Sequence, residues 1–381
     1  MRFLIAPDSF KESLSAEEAC EAVQRGIARV MPDAEFDLAP LADGGEGTGE
    51  CLRRAWNAER QLCKICGPME SPIDAAFVLD TAHRRAVIET AACCGIMLVE
   101  PSLRNPLQAT SRGVGEMMLA ARKAGAHTLV VTLGGSVTND GGIGMLQALG
   151  ARITDRDGNP VPSGGQALTC VEQVDLTGCR ENLQDVELVV LCDVSCRLLG
   201  PNGATRLFGP QKGASPAQIE LLEAGMTRYA RALQQACGVD VAALDGSGAA
   251  GGLGAALLAL RSVVSVRVCG GADYLMHQMD IPNRIRQCDV VIVGEGSMDA
   301  QSLEGKLPIR IAELARESNR PVVAMVGSVW GAPETFRQHG VDAVFCILRK
   351  VAPLDSVLRD AEQNLQYTAE NFASVLALSK R

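Results

Sequence analysis

Aromatic residues and histidines are scarce in this sequence. Phe, Trp and Tyr make up 3% of its 381 residues, and the chain contains 4 histidines. Since single-stranded nucleic acids bind largely by stacking on aromatic rings, this scarcity disfavours a nucleic-acid partner. The histidines lie outside the glycine-rich loops described below, which argues against a zinc enzyme and against a histidine-dependent hydrolase.

Basic runs and long apolar runs are also missing. The formal net charge is −9, and without a basic run we expect no nucleic-acid partner. No apolar segment approaches the ~20 residues that span a bilayer. The chain enters a strand directly after Met1, without the anatomy of a signal peptide, so we predict a soluble cytoplasmic protein with no membrane partner.

The 14 cysteines raise the question of a disulfide framework, but they are scattered and several lie in apolar runs. Cys63 and Cys66 form a single Cys-x-x-Cys pair, which is weak evidence for zinc. We therefore predict reduced and largely buried thiols.

Glycine is abundant, with 39 residues, and it is concentrated where strands give way to helices. In the central stretch, Leu129 to Gly150, an apolar strand ends in Gly134 to Ser136 and a helix begins near Gly144. Asp140 lies between them, followed by two more glycines. Such a turn lets backbone N–H groups approach an anionic ligand, with the positive end of the helix dipole behind them. For a single loop, a helix N-cap with glycines that serve the turn is the simpler interpretation.

Similar loops recur along the chain. The strand from Arg2 to Pro7 precedes a polar loop, Asp8 to Ser13, and a helix that we expect Ser15 to cap. In open α/β sheets, ligands bind at this position, outside the carboxyl ends of the strands. Acidic residues occur at strand ends or in the glycine-rich loops after them: Asp8, Asp43, Asp140, Asp193, Glu295 and Asp299. Cationic residues occur in similar loops: Lys11, Arg112, Lys212 and Lys306.

This mixture of charges favours phosphoryl transfer. Carboxylates hold magnesium and position the attacking hydroxyl, cations neutralise the transferred group, and N–H groups hold the phosphates. Gly246 to Gly251 matches the G-x-G-x-x-G dinucleotide fingerprint, but no convincing strand or ribose-binding acid accompanies it, so we interpret it as a generic turn and disfavour hydride transfer. A ligand-binding protein without chemistry could use the same glycines, and this alternative stays open.

Seven longer stretches occur in a fixed order nearly from end to end of the chain: IAPDSFKESLSA (5–16), ADGGEGT (42–48), TSRGVGE (110–116), GGSVTNDGGIGMLQALGA (134–151), FGPQKGAS (208–215), GAAGGLGAAL (248–257) and GEGSMDAQSLEGK (294–306). Together they resemble the signature stretches of the type I glycerate kinase family. The resemblance implies phosphorylation of D-glycerate to 2-phosphoglycerate with ATP and Mg²⁺, in the degradation of glyoxylate-derived compounds or sugar diacids.

The resemblance also implies an α/β fold of two α/β domains, with the active site in the cleft between them. We predict a three-layer αβα Rossmann-like domain built from both chain ends, residues 1–68 and 286–381, and an inserted α/β domain, residues 69–285. The alternation of strands and helices at both chain ends agrees with this division. The sequence leaves the oligomeric state open.

We expect the site residues to divide by role. An arginine at a helix start is disfavoured by the helix dipole, so a bound carboxylate would explain Arg112. The predicted substrate-binding residues are Asp8, Ser9, Ser111 and Arg112. The predicted catalytic residues are Asp193 or Asp140 as the base, and Lys11. The predicted ATP- and phosphate-binding residues are Ser13, Gly134, Gly135, Ser136, Lys212 and Lys306. The predicted magnesium ligands are Glu295 and Asp299.

Three alternatives remain at this point. One is a kinase that gives 3-phosphoglycerate, and another is a kinase for a different small hydroxy acid. The last is a catalytically silent protein that binds a metabolite.

Overall fold

The structure of the chain is a computed structural model that describes residues 1–42, 44–45, 47–300 and 302–378. Asp43, one of the predicted acidic loop residues, lies outside the described residues. The strands are β1 (Arg2–Ile5), β2 (Glu35–Leu38), β3 (Glu59–Cys66), β4 (Pro72–Asp80), β5 (Arg85–Glu89), β6 (Thr128–Thr132), β7 (Arg152–Thr154), β8 (Gln173–Asp175), β9 (Glu187–Leu191), β10 (Ser265–Cys269), β11 (Val290–Met298), β12 (Val322–Val329) and β13 (Ala343–Cys346).

The helices alternate with these strands. The α-helices are α1 (Ala16–Val30), α2 (Thr48–Ala55), α3 (Thr90–Cys94), α4 (Arg112–Lys123), α5 (Ile143–Ala148), α6 (Thr177–Asn182), α7 (Ala204–Phe208), α8 (Pro216–Cys237), α9 (Ala249–Ala259), α10 (Gly271–Gln278), α11 (Ile281–Gln287), α12 (Leu307–Glu317), α13 (Pro333–Gln338), α14 (Leu354–Arg359) and α15 (Ala361–Leu378). Short 3₁₀ helices cover Ile96–Leu98, Pro101–Leu103, Gly165–Thr169, Pro210–Lys212, Val241–Ala243, Leu260–Ser262 and Ser302–Glu304. Among the described residues, no helix is both long and apolar enough to cross a bilayer.

The chain divides into two compact α/β units, which confirms the predicted fold class. The first unit contains Met1–Asp43 and Ala272–Arg381, and the second contains Gly44–Gly271. Both boundaries come earlier in the chain than the predicted boundaries at residues 68/69 and 285/286. The reason for the first difference is that β3 pairs antiparallel with β4, so it belongs to the sheet of the second unit.

The first unit is built on a parallel sheet in the order β13-β12-β11-β1-β2. Successive side chains of β1 alternate between its faces. Phe3 and Ile5 pack in a core cluster with residues of α1 and α15. Leu4, equally buried, points the other way, and α11 and α12 contact this sheet. The unit therefore has helices on both faces of a parallel sheet, as predicted.

The second unit is built on a six-stranded sheet in the order β10-β9-β6-β5-β4-β3. Its β5, β6, β9 and β10 are parallel, and β3 and β4 form an antiparallel extension. A separate two-stranded sheet joins β7 and β8. The carboxyl ends of the four parallel strands therefore meet at one edge of the larger sheet.

Helix caps show where local sequence chemistry acted as expected. The Ser15 hydroxyl accepts from the Glu18 N–H at 3.2 Å, and the Glu18 carboxylate accepts from the Ser15 N–H at 2.8 Å, which forms a capping box at the start of α1. The sequence also predicts a single helix from Leu354 to Leu378, and this prediction is wrong, because the structure divides the segment into α14 and α15 at Asp360. No glycine or proline marks that break, so the helical pattern alone could not reveal it.

Candidate functional site

The first unit has a topological switch point between β1 and β11. These two strands are parallel neighbours, with Leu4 opposite Val291. From β1 the chain proceeds to β2 on one side of the sheet, whereas from β11 it proceeds to β12 on the other. The loops that follow the two strands therefore diverge and leave a crevice outside their carboxyl ends, where ligands bind in open α/β sheets.

The loop after β1 forms one wall of this crevice. The Asp8 N–H donates to the Gly294 carbonyl oxygen at 2.9 Å, which ties the loop to β11. A tight turn follows, in which the Ser13 N–H donates to the Phe10 carbonyl oxygen at 2.9 Å. Glu12 has a left-handed backbone there, with φ of 65°, and Lys11 is exposed beside it. The turn thus presents the polar side chains at the strand end, as the sequence predicted.

Glu295, near the end of β11, carries an unsatisfied buried oxygen. Its side chain is 7% exposed, and its Oε1 atom has no hydrogen-bond partner among the described residues. Its Oε2 atom lies 3.8 Å from Nζ of Lys306. Burial raises the pKa of the Glu295 carboxyl, against the opposing influence of the Ser302 hydroxyl and the Lys306 ammonium. A buried carboxylate oxygen without a partner is costly unless a ligand supplies one.

The carboxylates of Glu295 and Asp299 supply part of the ligand set that a magnesium ion needs. Within the described residues, no group of three or more His, Cys, Asp or Glu side chains is arranged to hold a metal. Mg²⁺, however, is commonly held by one or two carboxylates together with substrate phosphates and water. The orphaned Oε1 atom of Glu295 and the nearby Asp299 carboxylate meet that smaller requirement for an ion that arrives with a triphosphate.

A cavity of about 400 Å³ opens at this switch point. It brings together predicted residues from two distant stretches of the chain, 5–16 and 294–306: Asp8, Ser9, Lys11, Ser13, Glu295, Asp299 and Lys306. It is also lined by residues that the sequence did not single out: Phe10, Gly296, Ser297, Gly327, Ser328, Ile347, Leu348, Leu354, Val357, Leu358, Ala361 and Asn364. The apolar residues among them could not be predicted as ligand contacts, because their spacing in the sequence is the same as that of ordinary core residues.

The second unit carries its polar loops at the carboxyl ends of β5, β6 and β9. The loop Gly134 to Ser136 follows β6, and the Thr90 hydroxyl after β5 donates to the Gly134 carbonyl oxygen at 3.1 Å. Gly135 has φ of +60°, a backbone conformation that favours glycine. Asp193 follows β9, is exposed, and accepts from the Gly271 N–H at 2.9 and 3.0 Å. Since Thr132 lies opposite Leu191 in the register, the glycine loop and Asp193 leave the sheet side by side.

Lys212 supports this glycine loop from within. It is 3% exposed, and its Nζ atom donates to the Ser136 hydroxyl at 3.1 Å and to the Thr138 carbonyl oxygen at 2.7 Å. Burial lowers the pKa of Lys212 to about 8. These contacts make Lys212 an internal brace for the loop that the sequence predicted to bind phosphate.

Asp140 and Ser111 are both fully buried and contact each other. The Ser111 N–H and hydroxyl each donate to Oδ2 of Asp140 at 2.8 Å, and the N–H groups of Gly142 and Gly144 donate at 3.0 and 3.2 Å. Burial raises the pKa of the Asp140 carboxyl, and these four hydrogen bonds oppose the increase. The simpler interpretation of the central loop, a carboxylate that caps the start of α5, describes this geometry.

Arg112 and Ser111, both predicted to bind substrate, point in different directions. Ser111 points into the unit, whereas the Arg112 side chain is 45% exposed and its Nε atom donates to Oε1 of Glu116 at 2.9 Å. Glu116 is one turn further along α4, and this carboxylate supplies the anion that the helix dipole led us to expect. The predicted contact of Ser111 and Arg112 with the substrate carboxylate stays a prediction.

The G-x-G-x-x-G stretch serves backbone packing. No strand directly precedes it, and Ala250, Gly251 and Gly252 have left-handed backbones inside α9. The Gly141 N–H donates to the Gly251 carbonyl oxygen at 3.0 Å. A Cβ atom on Gly251 would lie 2.0 Å from the Thr138 carbonyl oxygen, so only glycine allows this approach. The stretch braces the central loop, in agreement with the generic turn predicted from the sequence.

Comparisons with known proteins give a consistent assignment. The model of the glycerate kinase family matches residues 3–377. A protein named glycerate 2-kinase from Escherichia coli (strain K12) is 40% identical over 381 residues, covering 100% of this chain and 99% of the relative. A protein named glycerate kinase from Bacillus subtilis (strain 168) is 41% identical over 380 residues, covering 100% of this chain and 99% of the relative.

A solved structure adds agreement in three dimensions. A crystal structure described provisionally as glycerate kinase 2 from Salmonella typhimurium LT2 is 39% identical, with a TM-score of 0.86, and the match covers 100% of this chain and 99% of that one. A family model that spans nearly the whole chain, full-length relatives near 40% identity and this shared fold lead to the same conclusion. The chain belongs to the glycerate kinase family, whose members are phosphotransferases that act on an alcohol group.

Proposed function

We propose that this chain transfers the γ-phosphoryl group of ATP to the 2-hydroxyl of D-glycerate and gives 2-phosphoglycerate and ADP. The observation that carries the proposal is the cavity at the switch point of the first unit, where Lys11 and Lys306 share one wall with the carboxylates of Glu295 and Asp299. Cations that neutralise phosphate oxygens beside carboxylates that can hold magnesium form the arrangement phosphoryl transfer requires.

In this proposal Mg²⁺ supplies charge neutralisation on the phosphates when it is bound. Glu295 and Asp299 would hold it, and the buried orphan oxygen of Glu295 supports that role. The turn from Lys11 to Ser13 and the Lys306 side chain bind phosphate oxygens. Asp8 and Ser9 line the same cavity. Their contact with substrate stays a prediction.

We propose Asp193 as the proton acceptor for the glycerate hydroxyl. Between the two candidates, Asp193 is exposed at the end of β9, whereas Asp140 is fully buried with its oxygens already bonded. A base must reach the proton that it abstracts, which favours Asp193. As the new bond forms between the glycerate oxygen and phosphorus, the bond from phosphorus to ADP breaks and the hydroxyl proton passes to Asp193.

An assay of the purified protein with ATP, Mg²⁺ and D-glycerate tests the activity. Enolase and pyruvate kinase serve as coupling enzymes, and phosphoglycerate mutase is left out. Since enolase accepts only 2-phosphoglycerate, pyruvate formed without the mutase supports the proposal. Pyruvate that forms only after mutase is added would move the phosphate to the 3-hydroxyl and overturn the proposed product.

Direct measurement of ADP separates the remaining alternatives. ADP without pyruvate under both conditions would indicate a different small hydroxy acid as the acceptor. No ADP at all would favour a catalytically silent metabolite-binding protein. The predicted pathway, degradation of glyoxylate-derived compounds or sugar diacids, stays a prediction.

A further inference from the structure

We propose that the apolar half of the cavity in the first unit is a nucleobase site, with Asn364 as the group that recognises adenine. The inference rests on the proposed function, because it assumes that the polar half of the same cavity binds the phosphates of a nucleotide. It concerns residues that directly follow β13 or lie in α14 and α15, none of which carries a predicted role.

The cavity changes character along the edge of the sheet. At β1 and β11 it is lined by carboxylates, lysines and serines, whereas next to β12 the lining is Gly327 and Ser328. At β13 and beyond, the lining becomes aliphatic: Ile347, Leu348, Leu354, Val357, Leu358 and Ala361. A ligand that is anionic at one end and flat and apolar at the other matches this order, and a nucleoside triphosphate is such a ligand.

The size of the cavity supports a whole nucleotide over a smaller anion. β1 and β13 are separated by β11 and β12, so their carboxyl ends lie roughly 14 Å apart at the usual strand spacing. The volume of about 400 Å³ falls within the usual range for small-molecule sites, ~300–1,000 Å³. Glycerate or phosphate alone would leave the aliphatic half empty.

Asn364 is the polar side chain of the aliphatic half. It lies in the first turn of α15, is half-buried and lines the cavity. Within the described residues its carboxamide has no hydrogen-bond partner, although its backbone N–H donates to the Asp360 carbonyl oxygen at 3.0 Å. A carboxamide offers one donor and one acceptor side by side, which matches the amino group and adjacent ring nitrogen of adenine. Guanine presents a different pattern, so Asn364 favours adenine.

The cavity-lining residues of α14 and α15 are three or four positions apart in sequence: Leu354, Val357, Leu358, Ala361 and Asn364. Residues at this spacing lie on one face of a helical segment, so the two helices present one continuous face to the cavity.

Binding measured by calorimetry without acceptor tests the base site apart from turnover. The probes are MgADP and, as a phosphate ligand without a base, magnesium tripolyphosphate. Val357→Trp fills the aliphatic half, and Val375→Trp is the matched control, because Val375 is 62% exposed on α15 and does not line the cavity. We expect Val357→Trp to weaken MgADP binding at least about tenfold with tripolyphosphate binding nearly unchanged, and Val375→Trp to change neither.

A second variant tests base recognition with little change in shape. Asn364→Asp replaces the donor with a second acceptor, which suits the paired N–H groups of guanine. We expect the preference for MgADP over MgGDP to fall about tenfold. Unchanged MgADP binding in Val357→Trp, or equal loss of both probes in that folded variant, would overturn the base site.

Failure of the base site and failure of the proposed function are distinguishable. If the wild-type protein phosphorylates D-glycerate but Val357→Trp binds MgADP normally, the proposed function is supported and the base site is overturned. If the Val357 and Asn364 variants weaken MgADP binding as expected but the wild-type protein transfers no phosphate, the base site is supported and the proposed function is overturned.

Discussion

The buried ammonium of Lys212 donates to the Ser136 hydroxyl at 3.1 Å, which links the 3₁₀ helix Pro210–Lys212 to the glycine turn after β6. Burial lowers the pKa of Lys212 to about 8 from the ordinary value of 10.5. Between these two values the unfolded chain holds a proton that the folded chain has released. Stability therefore rises with pH in this window, and the penalty for burying the charge applies fully below about pH 8.

This relationship gives a prediction for Lys212→Met, which removes the titrating group. The free energy of unfolding of the wild type minus that of the variant should rise by about 1 kcal/mol per pH unit from about pH 8 to about pH 10. Urea unfolding of both proteins at several pH values measures it. The Cys94 thiol, whose pKa burial raises to about 12, stays protonated across this window. If the difference in the free energy of unfolding stayed constant or fell with pH, it would contradict the conclusion that burial lowers the pKa of Lys212.

The contact of Ser111 with Asp140 predicts a structural effect for both residues. Asp140→Asn replaces one carboxylate oxygen with an N–H₂ group, which donates and cannot accept. In the position of Oδ1 this group would face the Gly142 N–H. In the position of Oδ2 it would face the Ser111 N–H, the Ser111 hydroxyl and the Gly144 N–H. The free energy of unfolding should fall by at least about 2 kcal/mol, and Ser111→Ala should lower it by about 1 kcal/mol. Denaturant unfolding of the single and double variants checks the coupling. If Asp140→Asn instead kept wild-type stability and lost about 10²-fold in kcat, Asp140 would be the base.

Asp193→Asn tests the base proposed at the end of β9. Asparagine retains an oxygen that can accept from the Gly271 N–H, so the side chain should keep its place. We expect kcat to fall by ~10²–10⁴-fold with KM for ATP nearly unchanged. Ser195→Ala, an exposed neighbour in the same loop, serves as the control. Near-normal kcat in Asp193→Asn would remove Asp193 as the base.

Arg112→Ala tests the predicted contact with the glycerate carboxylate. The exposed pair of Arg112 and Glu116 contributes at most about 1 kcal/mol, so the variant should fold normally. If Arg112 binds the substrate carboxylate, KM for D-glycerate should rise at least about tenfold and KM for ATP should stay the same. Lys123→Ala, at the exposed end of the same helix, is the control. An unchanged KM for D-glycerate would mean that Arg112 does not bind the substrate and only forms its ion pair with Glu116.

Glu295→Gln tests the magnesium ligand. The neutral amide keeps the shape of the side chain but binds Mg²⁺ more weakly than a carboxylate does. We expect the Mg²⁺ concentration for half-maximal rate to rise at least about tenfold, with KM for D-glycerate unchanged. Glu317→Gln, exposed at the end of α12, is the control. An unchanged Mg²⁺ requirement would remove Glu295 from the ligand set.

The structure brings the candidate residues of the first unit together more fully than those of the second unit. Asp8, Lys11, Glu295 and Lys306 line one cavity, because Asp8 and Lys11 follow β1, Glu295 lies near the end of β11, Lys306 follows β11, and parallel strands end at one edge. That inference needs only the position of a residue relative to its own strand. Ser111 and Arg112 are adjacent at a helix start but point in different directions, and only burial decides which one faces the interior. Their predicted contact with the glycerate carboxylate stays a prediction.

The sequence by itself determined the alternation of strands and helices, the cap at Ser15 and the acidic loops at strand ends. These features depend on residues a few positions apart, so their physical causes are present in the local sequence. Tertiary structure alone decided that Asp140 is sealed inside its unit, that Glu295 keeps an unpartnered oxygen, and that Val357 and Asn364 line the same cavity as Lys11. Burial and shared cavities arise from contacts between residues tens to hundreds of positions apart, which hydrophobic periodicity and capping patterns do not encode.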